Sequence, residues 1–180
     1  YTLSLHDALP ISLPIPPVQP KRPVGMPVDP RTTLCNGFPT EMAKALTGGG
    51  AKLGGMKLSD IAQEGAWHTL ETNPEGPKPG DVCSLATAGA KDQPDDNKRT
   101  LMHVGVFKSK RPGPNGLEIW TFVDGGQGTY EGRQQVQERT RFFNPQTQIL
   151  STKMADAGQN AGDRWLRGWL DIDTHLKEKP

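Results

Sequence analysis

The sequence predicts an α+β fold with N-terminal helices and an antiparallel sheet. Three observations predict it. Helix-periodic segments come first, the period changes to that of strands after Pro74, and the turn PGPNG (112–116) joins two of the strand-like runs.

The first helix is expected over residues 35–47, CNGFPTEMAKALT. Phe38, Met42 and Leu46 recur every four residues there and make one apolar stripe. Pro39 is compatible because it lies in the first turn, and the GGG at 48–50 ends the helix. A second helix is expected over residues 58–70, LSDIAQEGAWHTL, with Ser59 or Asp60 as its cap and Ile61, Ala62 and Trp67 as apolar positions. Gly65 is its one poor helix former, and His68 would be a surface or interface histidine on it.

PKPGDVCSL (77–85) then reads as a turn feeding a short strand, and TLMHVGVF (100–107) as a second strand. LEIWTFVDGG (117–126) is a third, reached through PGPNG. RTRFFNPQTQIL (139–150) and RWLRGWLDID (164–173) add one or two more, while KDQPDDNKR (91–99) and TKMADAGQNAGD (152–163) are polar loops. His175 follows the last of these and is expected to face solvent.

At 180 residues the chain suggests one domain, and 21 Gly and 17 Pro require much turn and loop. The net charge is +1, with basic and acidic residues intermixed and no basic stripe carrying aromatics, so nucleic acid is not an expected partner. No apolar run approaches the ~20 residues that span a membrane. Two cysteines, Cys35 and Cys83, are too few for a disulfide framework. One bridge between them is open at this level, and a nucleophilic Cys35 requires that it not form.

The start of the chain is read separately. Residues 1–11, YTLSLHDALPI, resemble the translation of a common sequencing adapter and are set aside as an artefact without fold content. On that reading the true N-terminus and any export signal lie outside the sequence. Residues 12–31 form a proline-rich arm or linker, with seven prolines between 12 and 30 that favour extended polyproline II. The folded domain is expected over residues 32–177.

The chemistry-bearing features fall in a definite order: a cysteine opening a helix (TLCNGF), a PGDV turn, a strand beginning at His103 (HVGVF) and a further strand ending in Asp124. A helix N-terminus favours a thiolate through its unpaired amides. An imidazole beside that thiolate can exchange its proton, and a third polar group bonded to the other ring nitrogen fixes the imidazole's orientation. An antiparallel hairpin would bring Asp124 alongside His103.

In these residues the chain resembles the NlpC-type and CHAP-type cysteine amidases and peptidases, a papain-like clan that cleaves amide bonds in bacterial cell-wall peptides. The resemblance spans roughly Thr32 to Gly128. It implies a papain-like fold, Cys35 as nucleophile with its backbone amide in the oxyanion hole, His103 as general base, and Asp124 as the orienting residue. It implies no metal and no organic cofactor, a peptidoglycan peptide as substrate, and action in the periplasm or outside the cell. The C-terminal WLRGWLDID loosely resembles relatives of amidase effectors delivered between bacteria, which adds a secretion-system or immunity protein as partner. Asn36 beside the nucleophile, with Gly126 and Gln127 in DGGQG (124–128), are the substrate-binding candidates, and Gln127 also competes for the third position. The pattern departs from the clan in having Leu34 before the nucleophile, where Gly or Asp often stands, and Asp as the third residue, where His, Asn or Glu is common.

Each candidate has an ordinary counterpart. Cys35 and His103 can be core residues, and Asp124 before Gly-Gly can be a turn residue. Cys83 reads as structural, and Asp81 as the cap of a turn. Cys35, Cys83, His68 and His103 lack paired zinc-ligand spacing. DGGQG does not open a helix as a phosphate loop does; its glycines fit a place where extended substrate passes the backbone. The two rival readings are an inactive cell-wall-binding module and a structural domain of a secreted or phage assembly.

Overall fold

The computed structural model describes residues 39–40, 42–43, 47, 58–91, 103–130, 133–154 and 162–177. Seven strands are found among them: β1 (Trp67–His68), β2 (Val82–Thr87), β3 (His103–Pro112), β4 (Glu118–Tyr130), β5 (Arg133–Asn144), β6 (Ile149–Ser151) and β7 (Arg164–Leu170). Two short helices accompany them, α1 (Leu58–Ile61) and α2 (Ile172–Leu176). All pairings are antiparallel.

The expected papain-like α+β arrangement with N-terminal helices is overturned. Strands β2 to β7 pair in succession, β7 returns to β2, and a six-strand antiparallel barrel closes. The last closing contact is short, Ile149 opposite Trp165 and Leu150 opposite Arg164. β7 is long enough to use one edge twice, pairing with β6 near its start and with β1 through Trp169 and Leu170 near its end. Closure of this kind removes free sheet edges. Irregularities in the β3–β4 pairing between Phe107 and Ser109, and in β4–β5 between Asp124 and Thr129, supply the curvature that closing needs.

The second expected helix is cut to one turn. Gly65 adopts a left-handed backbone, with φ of 77°, that ends helical continuation. Trp67 and His68 then pair with β7 instead, and the His68 ring lies 6.0 Å from that of Trp169. Of the first expected helix, Pro39, Thr40, Met42 and Ala43 are helical, and the rest, apart from Thr47, lies outside the described residues.

Alternation along the strands sorts the side chains into two clusters. Cys83, Leu85, Phe107, Trp120, Phe122, Phe143, Leu150, Leu166 and Trp169 fill the barrel. Trp120 is the centre of the aromatic fill, with ring centroids 4.1 Å from Phe143 and 5.2 Å from Phe107. Outside, Val82, Val104 and Leu170 are covered by Ala43, Leu58, Ala66 and Ile172. β2 is therefore buried on both faces, which explains its unbroken run VCSLA.

The C-terminal helix is locked onto this cover. Asp171 caps it by accepting from the Thr174 amide at 2.9 Å, and the Asp171 amide donates to the Ala66 carbonyl at 2.8 Å. His175, expected in solvent, is buried instead, and its Nδ1 accepts from the Gln63 amide at 3.3 Å. Asp81 caps a turn as expected, its carboxylate accepting from the Lys78 amide at 2.7 Å.

Candidate functional site

His103 opens β3 opposite Leu85 of β2. Alternation places His103, Gly105 and Phe107 on the inner face of β3, and the pairings set Cys83, Gly105 and Asp124 abreast across β2, β3 and β4. Asp124 is thus the cross-strand partner of Gly105, one inward position below His103. Its carboxylate is wholly buried, and Oδ1 lies 3.2 Å from His103 Nε2. The hairpin expected from sequence does bring these two residues together.

Gly105 makes the contact possible. A Cβ at that position would lie 2.4 Å from Asp124 Oδ1 and 3.3 Å from a ring carbon of Phe122. The carboxylate occupies the space that any other residue would fill. The glycine of HVGV is here a matter of volume, since its φ is not in the left-handed region.

The second carboxylate oxygen, Oδ2, accepts from Arg141 Nη2 at 2.5 Å. Arg141 projects inward from β5, is itself buried, and its guanidinium lies 5.2 Å from the centroid of the Phe122 ring. The barrel therefore holds a chain of three groups, His103–Asp124–Arg141, laid over an aromatic floor. Burial is the largest single influence on Asp124 and pushes its carboxyl up. The His103 contact and the Arg141 charge together outweigh it, so the carboxyl is held below its ordinary value and the group is ionised.

His103 is the outermost member, with 14% of its side chain exposed against none for Asp124. Because Nε2 faces Asp124, proton exchange with a nucleophile falls to Nδ1. An imidazole oriented by a buried, ionised carboxylate and still reachable from outside is the arrangement of a general base.

The remaining candidates are placed as follows. Cys35 and Asn36 lie outside the described residues. Gly126 sits in β4 with φ of 71°, in the irregular stretch between Asp124 and Gln127, a backbone that glycine adopts without strain. Gln127 pairs with Gln135 through the backbone, and its side chain is not among those described. Asp124 is the residue at His103. Cys83 is a free, fully buried thiol, which rules out a bridge to Cys35. Burial foremost, with the nearby charges of Asp81 and Asp124, pushes that thiol far up and makes it inert.

Sequence reasoning missed Arg141 and the purpose of Gly105. A signal for Arg141 existed: it stands two residues before the buried Phe143, on the inward parity of its strand. Among the described residues no group of three or more His, Cys, Asp or Glu is placed to hold a metal ion, and no helix is long and apolar enough to cross a membrane. Compared with protein-family models, curated proteins and solved structures, the chain finds no match.

Proposed function

We propose that this protein hydrolyses amide bonds by a thiolate mechanism, with Cys35 as nucleophile, His103 as general base and Asp124 as the residue that orients His103. The observation that carries the reading is the His103–Asp124 contact at the end of the barrel, an accessible imidazole against a buried ionised carboxylate. Two further features support it. The helical residues Pro39, Thr40, Met42 and Ala43 follow Cys35 closely in the chain, and Ala43 packs in the same cluster as Val104, the neighbour of His103. The other cysteine, Cys83, is sealed in the core, so this reading assigns the nucleophile to Cys35.

In this mechanism the Cys35 thiol gives its proton to His103 Nδ1, and the sulfur attacks the amide carbonyl to form a tetrahedral oxyanion. Collapse breaks the C–N bond, the imidazolium returns the proton to the departing amine, and a thioester remains. Water, deprotonated by His103, then attacks the thioester, releasing the carboxylic acid and restoring the thiol. Asp124 keeps the imidazole turned throughout and stabilises its charged form. No step requires a metal or an organic cofactor. The substrate class is the peptide portion of peptidoglycan, as the Cys35, PGDV and His103 motif order implies, so the protein acts in the periplasm or outside the cell. Asn36, Gly126 and Gln127 line the path of the extended substrate in this reading, and an immunity or secretion-system protein is the partner that an effector role entails.

The test is a digestion of purified peptidoglycan by the full chain and by Cys35→Ala, with soluble products identified by mass spectrometry. New fragments from the parent and none from Cys35→Ala are expected. Co-sedimentation with the wall and no fragments would replace the hydrolase by an inactive wall-binding module, and neither result would reject the substrate. Alkylation at pH 6 provides the companion measurement: Cys35 is expected to label quickly and Cys83 only after unfolding.

A further inference from the structure

Arg141 is not accounted for by the three-residue mechanism, yet it makes the shortest contact in the site, 2.5 Å to Asp124 Oδ2. A guanidinium inside a barrel is costly to bury and is tolerated only against a matching charge. We propose that Arg141 is a positioning residue, which holds the Asp124 carboxylate against His103 and supplies the charge that keeps it ionised inside the barrel. This rests on His103 and Asp124 being the working pair of the proposed hydrolase.

The argument is one of geometry first. A carboxylate has two oxygens, and here they are divided, Oδ1 toward His103 and Oδ2 toward Arg141. With Oδ2 tied to β5 and Gly105 leaving no side chain beneath Oδ1, the carboxylate has one orientation, and it presents Oδ1 to the imidazole. Phe122 fixes the guanidinium in turn, by contact with its face.

Charge comes second. The ionisable groups packed around Asp124 are His103 on β3, Arg141 on β5, Cys83 on β2 with Asp81 just before it, and Arg164 on β7 with Asp163 just before it. With Arg141 present, the unprotonated His103–Asp124 pair and its guanidinium are together neutral. Without it, the pair would carry a net negative charge, with Arg164 matched by its neighbour Asp163, and it would hold its proton to higher pH. Removal of a nearby positive charge raises the proton affinity of the pair whichever partner carries the proton.

The experiment is a titration of the His103 imidazole by NMR, its signal assigned by its loss in His103→Gln, in the parent protein, Arg141→Met and Arg141→Lys. In Arg141→Met the midpoint is expected about one pH unit or more higher, the usual size of the effect of a close charge. The acid limb of the pH–rate profile on peptidoglycan should move by the same amount. Arg141→Lys retains the charge and is expected to shift less than half as far, although a single ammonium cannot reproduce the planar fork. A midpoint in Arg141→Met equal to the parent's, or equal shifts in both variants, would overturn the proposal. If Arg141→Met fails to fold, Arg141→Met combined with Asp124→Asn removes both charges and is expected to fold. A double variant as unstable as the single one would show that Arg141 serves packing alone. The titration uses no substrate. A protein without hydrolytic activity but with an Arg141-dependent midpoint would therefore lose the hydrolase reading and keep the charge relation.

Discussion

Replacing Gly105 by alanine tests the site through one methyl group. The new Cβ would sit 2.4 Å from Asp124 Oδ1, whereas ordinary van der Waals contact begins near 3.4 Å, so the carboxylate must retreat by about 1 Å. It has little room to do so. Oδ2 is held by Arg141 at 2.5 Å, and the ring of Phe122 closes on the same methyl at 3.3 Å. The His103–Asp124 contact already stands at 3.2 Å, and a shift of this size would open it to beyond about 4 Å. Overpacking a core costs about 1–3 kcal/mol, and a weakened buried ion pair adds to it, so a loss of about 2–4 kcal/mol is expected. Urea unfolding followed by circular dichroism would read this as a midpoint lowered by about 1–2 M. If the proposed hydrolase reading holds, displacing the orienting carboxylate by about 1 Å costs on the order of 100-fold in rate, and activity on peptidoglycan would fall further than stability explains. Gly105→Ala with the parent's midpoint and an unchanged His103 titration would refute the assignment of this glycine as the space for the carboxylate.

Two other outcomes are expected. His175 is buried as an acceptor, and burial holds its imidazole below its ordinary value, so the folded protein resists protonation there while the unfolded chain accepts it near pH 6.5. The stability this residue contributes is complete above that pH and is lost as pH falls below it, a slope that unfolding titrations of His175→Asn should lack. Trp120→Ala would remove the centre of the aromatic fill, from contact with Phe107, Phe122 and Phe143, and is expected to cost about 3–5 kcal/mol in urea unfolding; a loss under 1 kcal/mol would contradict the packing described.

Much of the strand set was legible because strands carry their signal locally. Alternation and bounding turns located β2 and most of β3 and β4, although β4 runs on past Asp124, its expected end, to Tyr130. The runs 139–150 and 164–173, expected to add one or two strands, hold three, the second half of β5, β6 and β7. The PGD and PGPNG turns lie where glycine, proline and aspartate chemistry places them. The segment 58–70 was misread because its apolar spacing suits a helix, while Gly65 and the stretch of β7 edge that the short β6 leaves uncovered dictate a turn and a strand. His175 was misread because closeness to the C-terminus says nothing of what packs there; the capping Asp171 and the Ala66 carbonyl draw it inward. At the site, His103 and Asp124 were found as a pair because hairpin pairing joins neighbouring strands. Arg141 was not found, because its register partner is Trp120, and only its long side chain carries the guanidinium along the inner face to Asp124.

The sequence by itself determined that strands form at β2, over much of β3 and β4, and within 139–150 and 164–173, where the PGD and PGPNG turns fall, and that His103 and Asp124 stand on adjacent strands, since each of these depends on neighbours within a few positions. Only the tertiary structure decided that the sheet closes on itself, that the helices among the described residues are short and cover part of its outside, and that the Asp124 carboxylate is shared between His103 and Arg141. The physical reason is common to all three. Closure and charge burial are set by which distant segments pair and by how much room a single missing side chain, at Gly105, leaves between them.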